Sequence, residues 1–73
     1  MTVRSQEKYT ALMAQRIKRA REALAMTQAT LAVRAKISRK YVVDLEAGRY
    51  DPTVGVMRRI AKALGVRVTE LLR

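Results

Sequence analysis

The stretch Thr27–Gly48, TQATLAVRAKISRKYVVDLEAG, decides how this chain is read. Thr27 is a good N-cap, because its hydroxyl can accept a backbone N–H of the first helical turn. Leu31 and Ala35 then recur four residues apart, on one face of a helix. Ser38 offers a second cap eleven residues after the first. Behind it Val42, Leu45 and Glu46 fall at helical spacing, and Gly48 can take the left-handed conformation that ends a helix. Lys36 and Ile37 leave room for a tight turn between the two segments.

Two short helices about such a turn match a DNA-binding helix-turn-helix, whose second helix lies in the major groove. That unit cannot bury its own apolar face, so the flanks must supply helices to cover Leu31, Val42 and Leu45. Upstream, Tyr9, Met13, Ile17, Ala20 and Leu24 step by three or four and predict one amphipathic helix over 8–24. Downstream, Gly48-Arg49-Tyr50-Asp51-Pro52 is a loop by its turn chemistry. Thr53 is a third N-cap, and Val54, Met57, Ile60, Ala61 and Leu64 form the next stripe, closed by Gly65. Val66, Val68, Leu71 and Leu72 make a short apolar end. The expected helices are therefore 8–24, 28–35, 39–47, 54–64 and 68–72, an all-α, compact five-helix bundle. Residues 1–7 read as a flexible N-terminal arm and 8–73 as a single helix-turn-helix DNA-binding domain.

Composition narrows the function. Seventy-three residues make one small domain, burying only about 60% of its unfolded surface. With neither Cys nor His, disulfides, thiolate metal sites and the commonest general base are missing. Six carboxylates alone, without a glycine-rich phosphate loop, argue against an enzyme; no cofactor and no metal are expected. No apolar run approaches the roughly 18 residues of a membrane span. A basic amphipathic first helix could lie on a membrane surface, but such helices usually carry Trp or Phe, and this chain has neither. The expected location is the cytoplasm of a bacterial host, associated with the nucleoid. Sixteen Lys and Arg against six Asp and Glu give a formal charge of +10, which calls for a polyanionic partner. Arg outnumbers Lys eleven to five, and Arg suits phosphate recognition.

From Ile17 to Leu72 the chain resembles the lambda-repressor-like helix-turn-helix domains of the Cro and xenobiotic-response-element (XRE) regulator family. The resemblance rests on Met26-Thr27-Gln28, Leu31-Ala32, Ile37-Ser38, Tyr41-Val42, Leu45-Glu46-Ala47-Gly48, Pro52-Thr53, Ile60 through Val66, and Glu70-Leu71-Leu72. It implies a five-helix bundle and a dimeric transcriptional regulator. Carried over by position, Gln28 contacts a phosphate and braces the recognition helix. Arg39 and Lys40 contact base edges, Tyr41 touches backbone, and Asp44 faces bases. Ser38 and Arg49 complete the expected DNA-binding set, and Arg21 pairs with Glu46. The residues themselves agree for Arg39, since Arg can pair bidentately with guanine O6 and N7; Lys40 fits a base or a phosphate equally.

Four positions depart from the family pattern, one of them Val43, which like Asp44 is unusual on a face towards DNA. Lys36 stands where the inter-helix turn usually has glycine. A left-handed residue with a side chain is strained by about 1 kcal/mol, so a slightly different turn is expected. Asp44 would be repelled by phosphates unless cytosine N4 or a nearby Arg satisfies it. Arg67 replaces the small polar cap of the fifth helix, which is expected to start late or fray. The leading expectation is a repressor of double-stranded DNA, a homodimer on a palindromic operator. The alternatives are an antitoxin, a restriction–modification controller, or a protein-interaction module using an exposed Val68-Leu71-Leu72 tail.

Overall fold

A computed structural model describes the backbone of residues 2–72 and the side chains of residues 10–72. Among the described residues the chain forms five helices: α1 Thr2–Ala23, α2 Gln28–Ala35, α3 Arg39–Glu46, α4 Val54–Leu64 and α5 Val68–Leu72. The three interior helices begin at the hydroxyl caps that the sequence offers. Thr27 Oγ1 accepts the Thr30 N–H at 3.0 Å, Ser38 Oγ that of Tyr41 at 3.0 Å, and Thr53 Oγ1 that of Val56 at 3.2 Å. Such a cap contributes typically about 1 kcal/mol. α5 lacks a side-chain cap at Arg67 yet starts at Val68, neither late nor displaced. Glu70 Oε2 accepts the Arg67 N–H at 2.7 Å, the returning half of a capping box.

The first four helices end alike. In each, one N–H reaches back five residues and the preceding N–H reaches back three: Met26 and Ala25, Ile37 and Lys36, Arg49 and Gly48, Val66 and Gly65. This is the Schellman arrangement, which needs a left-handed residue. Gly48 (φ 76°) and Gly65 (φ 69°) supply it without strain, whereas Ala25 (φ 54°) and Lys36 (φ 58°) supply it at a cost of about 1 kcal/mol each. The turn between α2 and α3 therefore keeps the left-handed geometry despite Lys36, and the expected deviation is not seen. Two backbone bonds outweigh the strain of one Cβ.

α1 begins at Thr2, six residues before the expected start. Val3 is the one apolar residue over residues 2–8, so periodicity has no apolar stripe to detect there. The side chains of the expected arm, residues 1–7, and of Tyr9 lie outside the described residues.

Ile17, Leu31, Val42, Leu45, Ile60 and Leu71 are fully buried, and Met13, Met26, Met57 and Leu64 complete the core. α1 packs against α3 and α4 against α2, as the uncovered face of the central pair requires, and α5 packs against α1 and α4. Two stripe members do not join. Leu24 is 53% exposed and Val54 68% exposed. Leu24 lies past the last turn of α1, where the chain is already turning towards Ala25. Val54 is the first residue of α4, with no preceding turn to hold it inward. Val66, Val68 and Leu72 are half-buried against the core, so the apolar tail is largely covered by its own domain. No described helix is long and apolar enough to cross a membrane.

Candidate nucleic-acid interface

Helix α3 has two faces with different tasks. Val42 and Leu45 point into the core with no exposed surface. Ser38, Arg39, Lys40 and Val43 face outward. Because the Ser38 hydroxyl caps Tyr41, the helix starts at Arg39, and two cations stand at its first two positions. Arg39 has no ion pair among the described residues.

The inner end of α3 is held by a buried polar cluster. Arg21 Nε donates to Glu46 Oε2 at 2.7 Å and Arg21 Nη2 donates to Glu46 Oε1 at 3.0 Å. This is the bidentate pair expected between the first and third helices. The two side chains retain 11% and 3% of their surface. Arg21 Nη1 also donates to the Met26 carbonyl at 2.7 Å, and Gln28 Nε2 donates to Glu46 Oε1 at 3.1 Å. The Glu46 carboxylate thus joins α1, the α1–α2 turn and the start of α2 to the end of α3. Its hydrogen bonds hold the Arg21 guanidinium charged, raising its pKa against the cost of burial. Gln28 is placed to brace the recognition helix from the first turn of α2.

The outer end of α3 carries a second cluster. Lys40 Nζ donates to Asp44 Oδ2 at 2.9 Å, one helical turn away, and Arg49 Nη1 donates to Asp44 Oδ1 at 2.8 Å from the following loop. Asp44 is only 6% exposed, while the Lys40 and Arg49 side chains remain 83% and 67% exposed. The hydrogen bond from Lys40, then that from Arg49, holds the Asp44 carboxyl below its ordinary 3.8. The same bond raises Lys40 above its ordinary 10.5. Asp44 therefore does not present an unengaged carboxylate, as a base-facing position would; both its oxygens are taken by its own chain. Beside it the rings of Tyr41 and Tyr50 stack, with centroids 5.3 Å apart and planes 26° from parallel. Stacking and clamp together fasten the 47–53 loop to the recognition helix.

The fold thus gathers Lys40, Tyr41, Asp44 and Arg49 in one patch, sets Ser38 and Arg39 at the helix start, and places Gln28 behind, against Glu46. Sequence reasoning missed Tyr50; an aromatic nine residues after Tyr41 in a short loop was the available signal. It also missed Arg59, whose Nε donates to the Ala35 carbonyl at 2.9 Å and ties α4 to the end of α2. No group of three or more His, Cys, Asp or Glu that could hold a metal occurs among the described residues.

Comparison with known proteins agrees with this geometry. A helix-turn-helix family model, HTH_3, matches residues 17–71. The immunity repressor protein of Bacillus phage phi105 is 40% identical over 58 residues, which are 80% of this chain and 40% of the repressor. The chain thus spans well under half of that repressor's length. An uncharacterized HTH-type transcriptional regulator of Methanothermobacter thermautotrophicus is 43% identical over 49 residues, 67% of this chain and 71% of the regulator. Among solved structures, the restriction-modification controller protein C.AhdI of Aeromonas hydrophila superposes with a TM-score of 0.83 at 29% identity, covering 85% of this chain and 94% of the controller.

Proposed function

The chain belongs to the helix-turn-helix family of the lambda-repressor-like (XRE) type, and on that premise we propose that it is a sequence-specific repressor that binds a palindromic DNA operator as a homodimer. That family is a class of DNA-binding transcription regulators and not of enzymes. The observation that carries the reading is the exposed start of α3, with Ser38, Arg39 and Lys40 outward on a helix whose far end is locked by Arg21, Glu46 and Gln28. Base contacts specify only when the reading element is rigidly aimed. In this reading Arg39 reads a base. Tyr41 follows the backbone, Gln28 reaches a phosphate from the start of α2, and Ser38, Lys40, Asp44 and Arg49 complete the face. Repression follows from occupancy of a promoter. It takes place wherever the host keeps its DNA, which for a bacterial or phage regulator is the cytoplasm.

One domain covers few base pairs, so discrimination requires two copies reading half-sites about one helical turn, roughly 34 Å, apart. The contact surface must leave α3 free. The part-exposed Val68 and Leu72 of α5 and the exposed side of α4 offer a self-complementary patch. The alternative surface is α1, through Tyr9, Leu12 and Met13; Met13 is buried, which leaves Leu12 as its large exposed apolar side chain among the described residues. A restriction–modification controller is a second reading, favoured by the likeness to C.AhdI over nearly all of that protein. A module without DNA is disfavoured by the +10 charge and by the exposed Arg39-Lys40 pair at the start of α3.

The test is selection of bound sites from random duplexes, followed by titration of the enriched site against salt. A palindromic consensus and a loss of about a thousandfold between about 50 and 200 mM salt are expected for a phosphate-anchored reader. Sedimentation of Leu72→Glu should show a folded monomer; an unchanged dimer mass would move the interface to α1.

A further inference from the structure

The segment from Ser38 to Asp51, which would meet DNA first, contains Arg39, Lys40 and Arg49 against Asp44, Glu46 and Asp51 and is formally neutral. The +10 of the chain is carried elsewhere. Within this segment the two cations other than Arg39 are both bound to one carboxylate, at 2.9 and 2.8 Å. We infer that Asp44 is a specificity-setting positioning residue, which acts by holding Lys40 and Arg49 to itself and not by touching a base. This rests on the proposed DNA-reading role of α3.

The geometry supports it in three ways. Both Asp44 oxygens are engaged at charge-assisted distances, which are the stronger class of hydrogen bond. A cytosine N4 would have to add a second bond to an oxygen already shared with a cation, on a residue only 6% exposed. The two bonds also differ in origin: Lys40 belongs to α3 and Arg49 to the loop, so the carboxylate fastens loop to helix beside the Tyr41–Tyr50 stack. Finally, Arg39 at the helix start lies outside the clamp and has no ion pair among the described residues. Free cations gain affinity for any sequence, because phosphates are everywhere on the duplex. Tying up two of them lowers that sequence-blind term and leaves the contact from Arg39 a larger share of the whole.

The experiment compares wild type, Asp44→Asn, Lys40→Gln and the double variant on the enriched site and on random-sequence duplex, each across a salt series. Asp44→Asn removes the charge while keeping the shape. It should tighten binding to random duplex by about tenfold and steepen its salt slope by about 0.9 to 1.8, one or two added phosphates at about 0.9 each. The ratio of specific to random binding should fall accordingly. Lys40→Gln alone should leave the random-duplex slope unchanged, and in the Asp44→Asn background it should take back part of the gain. Asp44→Glu, which keeps the charge, should restore the wild-type slope.

Two results overturn the inference. One is an unchanged slope in Asp44→Asn with preference lost at a single base pair, which would make Asp44 a base reader. The other is a slope shallower by about 0.9 in Lys40→Gln alone, which would mean Lys40 already sits on a phosphate; this second test needs no change at Asp44 and stands if Asp44→Asn fails to fold. Failure of wild type to enrich any site would instead remove the proposed function, and the random-duplex slopes would still decide the clamp.

Discussion

Helix α3 carries two carboxylates two residues apart, and they live in different worlds. Glu46 is bound by Arg21 and Gln28, with 11% and 3% of the Arg21 and Glu46 side chains exposed. Asp44 is bound by Lys40 and Arg49, whose side chains are mostly in solvent. Both acids have two donors at good distances. The inner cluster joins three segments of the fold, whereas the outer one joins α3 only to the loop that follows it. Charge pairs of similar length thus tie several helices together on one face and a single helix to its loop on the other. Burial of the donors, not the bond length, separates the two roles, because water competes for exposed partners and not for buried ones.

The largest expected effect tests the inner cluster. Glu46→Ala strands the Arg21 guanidinium, whose remaining acceptor is the Met26 carbonyl. Loss of one partner of a buried pair costs about 3–5 kcal/mol, and the carbonyl should keep this case near the lower end. In a domain of this size about 1 kcal/mol moves the melting temperature by about 4–8 °C, so urea and thermal melts will show it clearly. A double-mutant cycle with Arg21→Ala should give strong coupling; coupling near zero would erase the distinction between the two clusters. Asp44→Asn, by contrast, should lower the urea midpoint only slightly, because both donors face water.

Next comes the outer face itself. Arg39→Ala should cost about 1–3 kcal/mol on the enriched site and relax preference at one base pair, with the melting temperature unchanged. Equal weakening on every sequence would make Arg39 a phosphate ligand. The joint between the faces gives a smaller effect. Lys36 holds φ 58° in the turn that aims α3. Lys36→Gly relieves strain of about 1–2 kcal/mol but frees the unfolded chain by about 0.4–1. A net gain of about 0–1.6 kcal/mol in melts is expected, with DNA preference intact. A variant that folds more tightly but reads a different site would show that the turn also tunes the outer face.

The inner face was legible in the sequence and the outer one only in part. Thr27, Ser38 and Thr53 marked three helix starts, because an N-cap is a local, side-chain-to-backbone event. Leu31, Val42, Leu45, Ile60 and Leu71 marked the core by periodicity. The Arg21–Glu46 pair followed from the family resemblance, not from spacing, since no local rule links residues in different helices. The polar beginning of α1 was invisible because it has no apolar stripe. Asp44 was placed by the family resemblance, and a nearby Arg was one expected way to satisfy it, but not the pairing of Arg49 across a helix end with Lys40 on the other oxygen, nor Tyr50, which packs there by a stacking that no period announces. Left-handed Lys36 and Ala25 were hidden for a similar reason, since their cost is met by backbone bonds that only the assembled turn reveals.

The smallest expected effect is the one that most directly separates the two acids, and it concerns pH. Asp44 is the described carboxylate held below its ordinary 3.8, chiefly by the hydrogen bond from Lys40, then by that from Arg49, against a partial loss of hydration. A group whose folded value is lower than its unfolded one adds stability at higher pH. That contribution is complete above the unfolded value and disappears as pH falls through the folded one. Wild type should therefore lose a small increment of stability below about pH 4 that Asp44→Asn never had, so the two urea-midpoint curves should differ at neutral pH and converge in acid by no more than a surface cluster allows. Salt should shrink the difference, since both donors face water. The Arg21–Glu46 coupling, shielded from water, should hardly respond to the same salt. If the acid convergence were salt-independent and as large as the coupling at Glu46, the outer clamp would be part of the scaffold, and Asp44 could no longer be assigned to the partner-facing side of the helix.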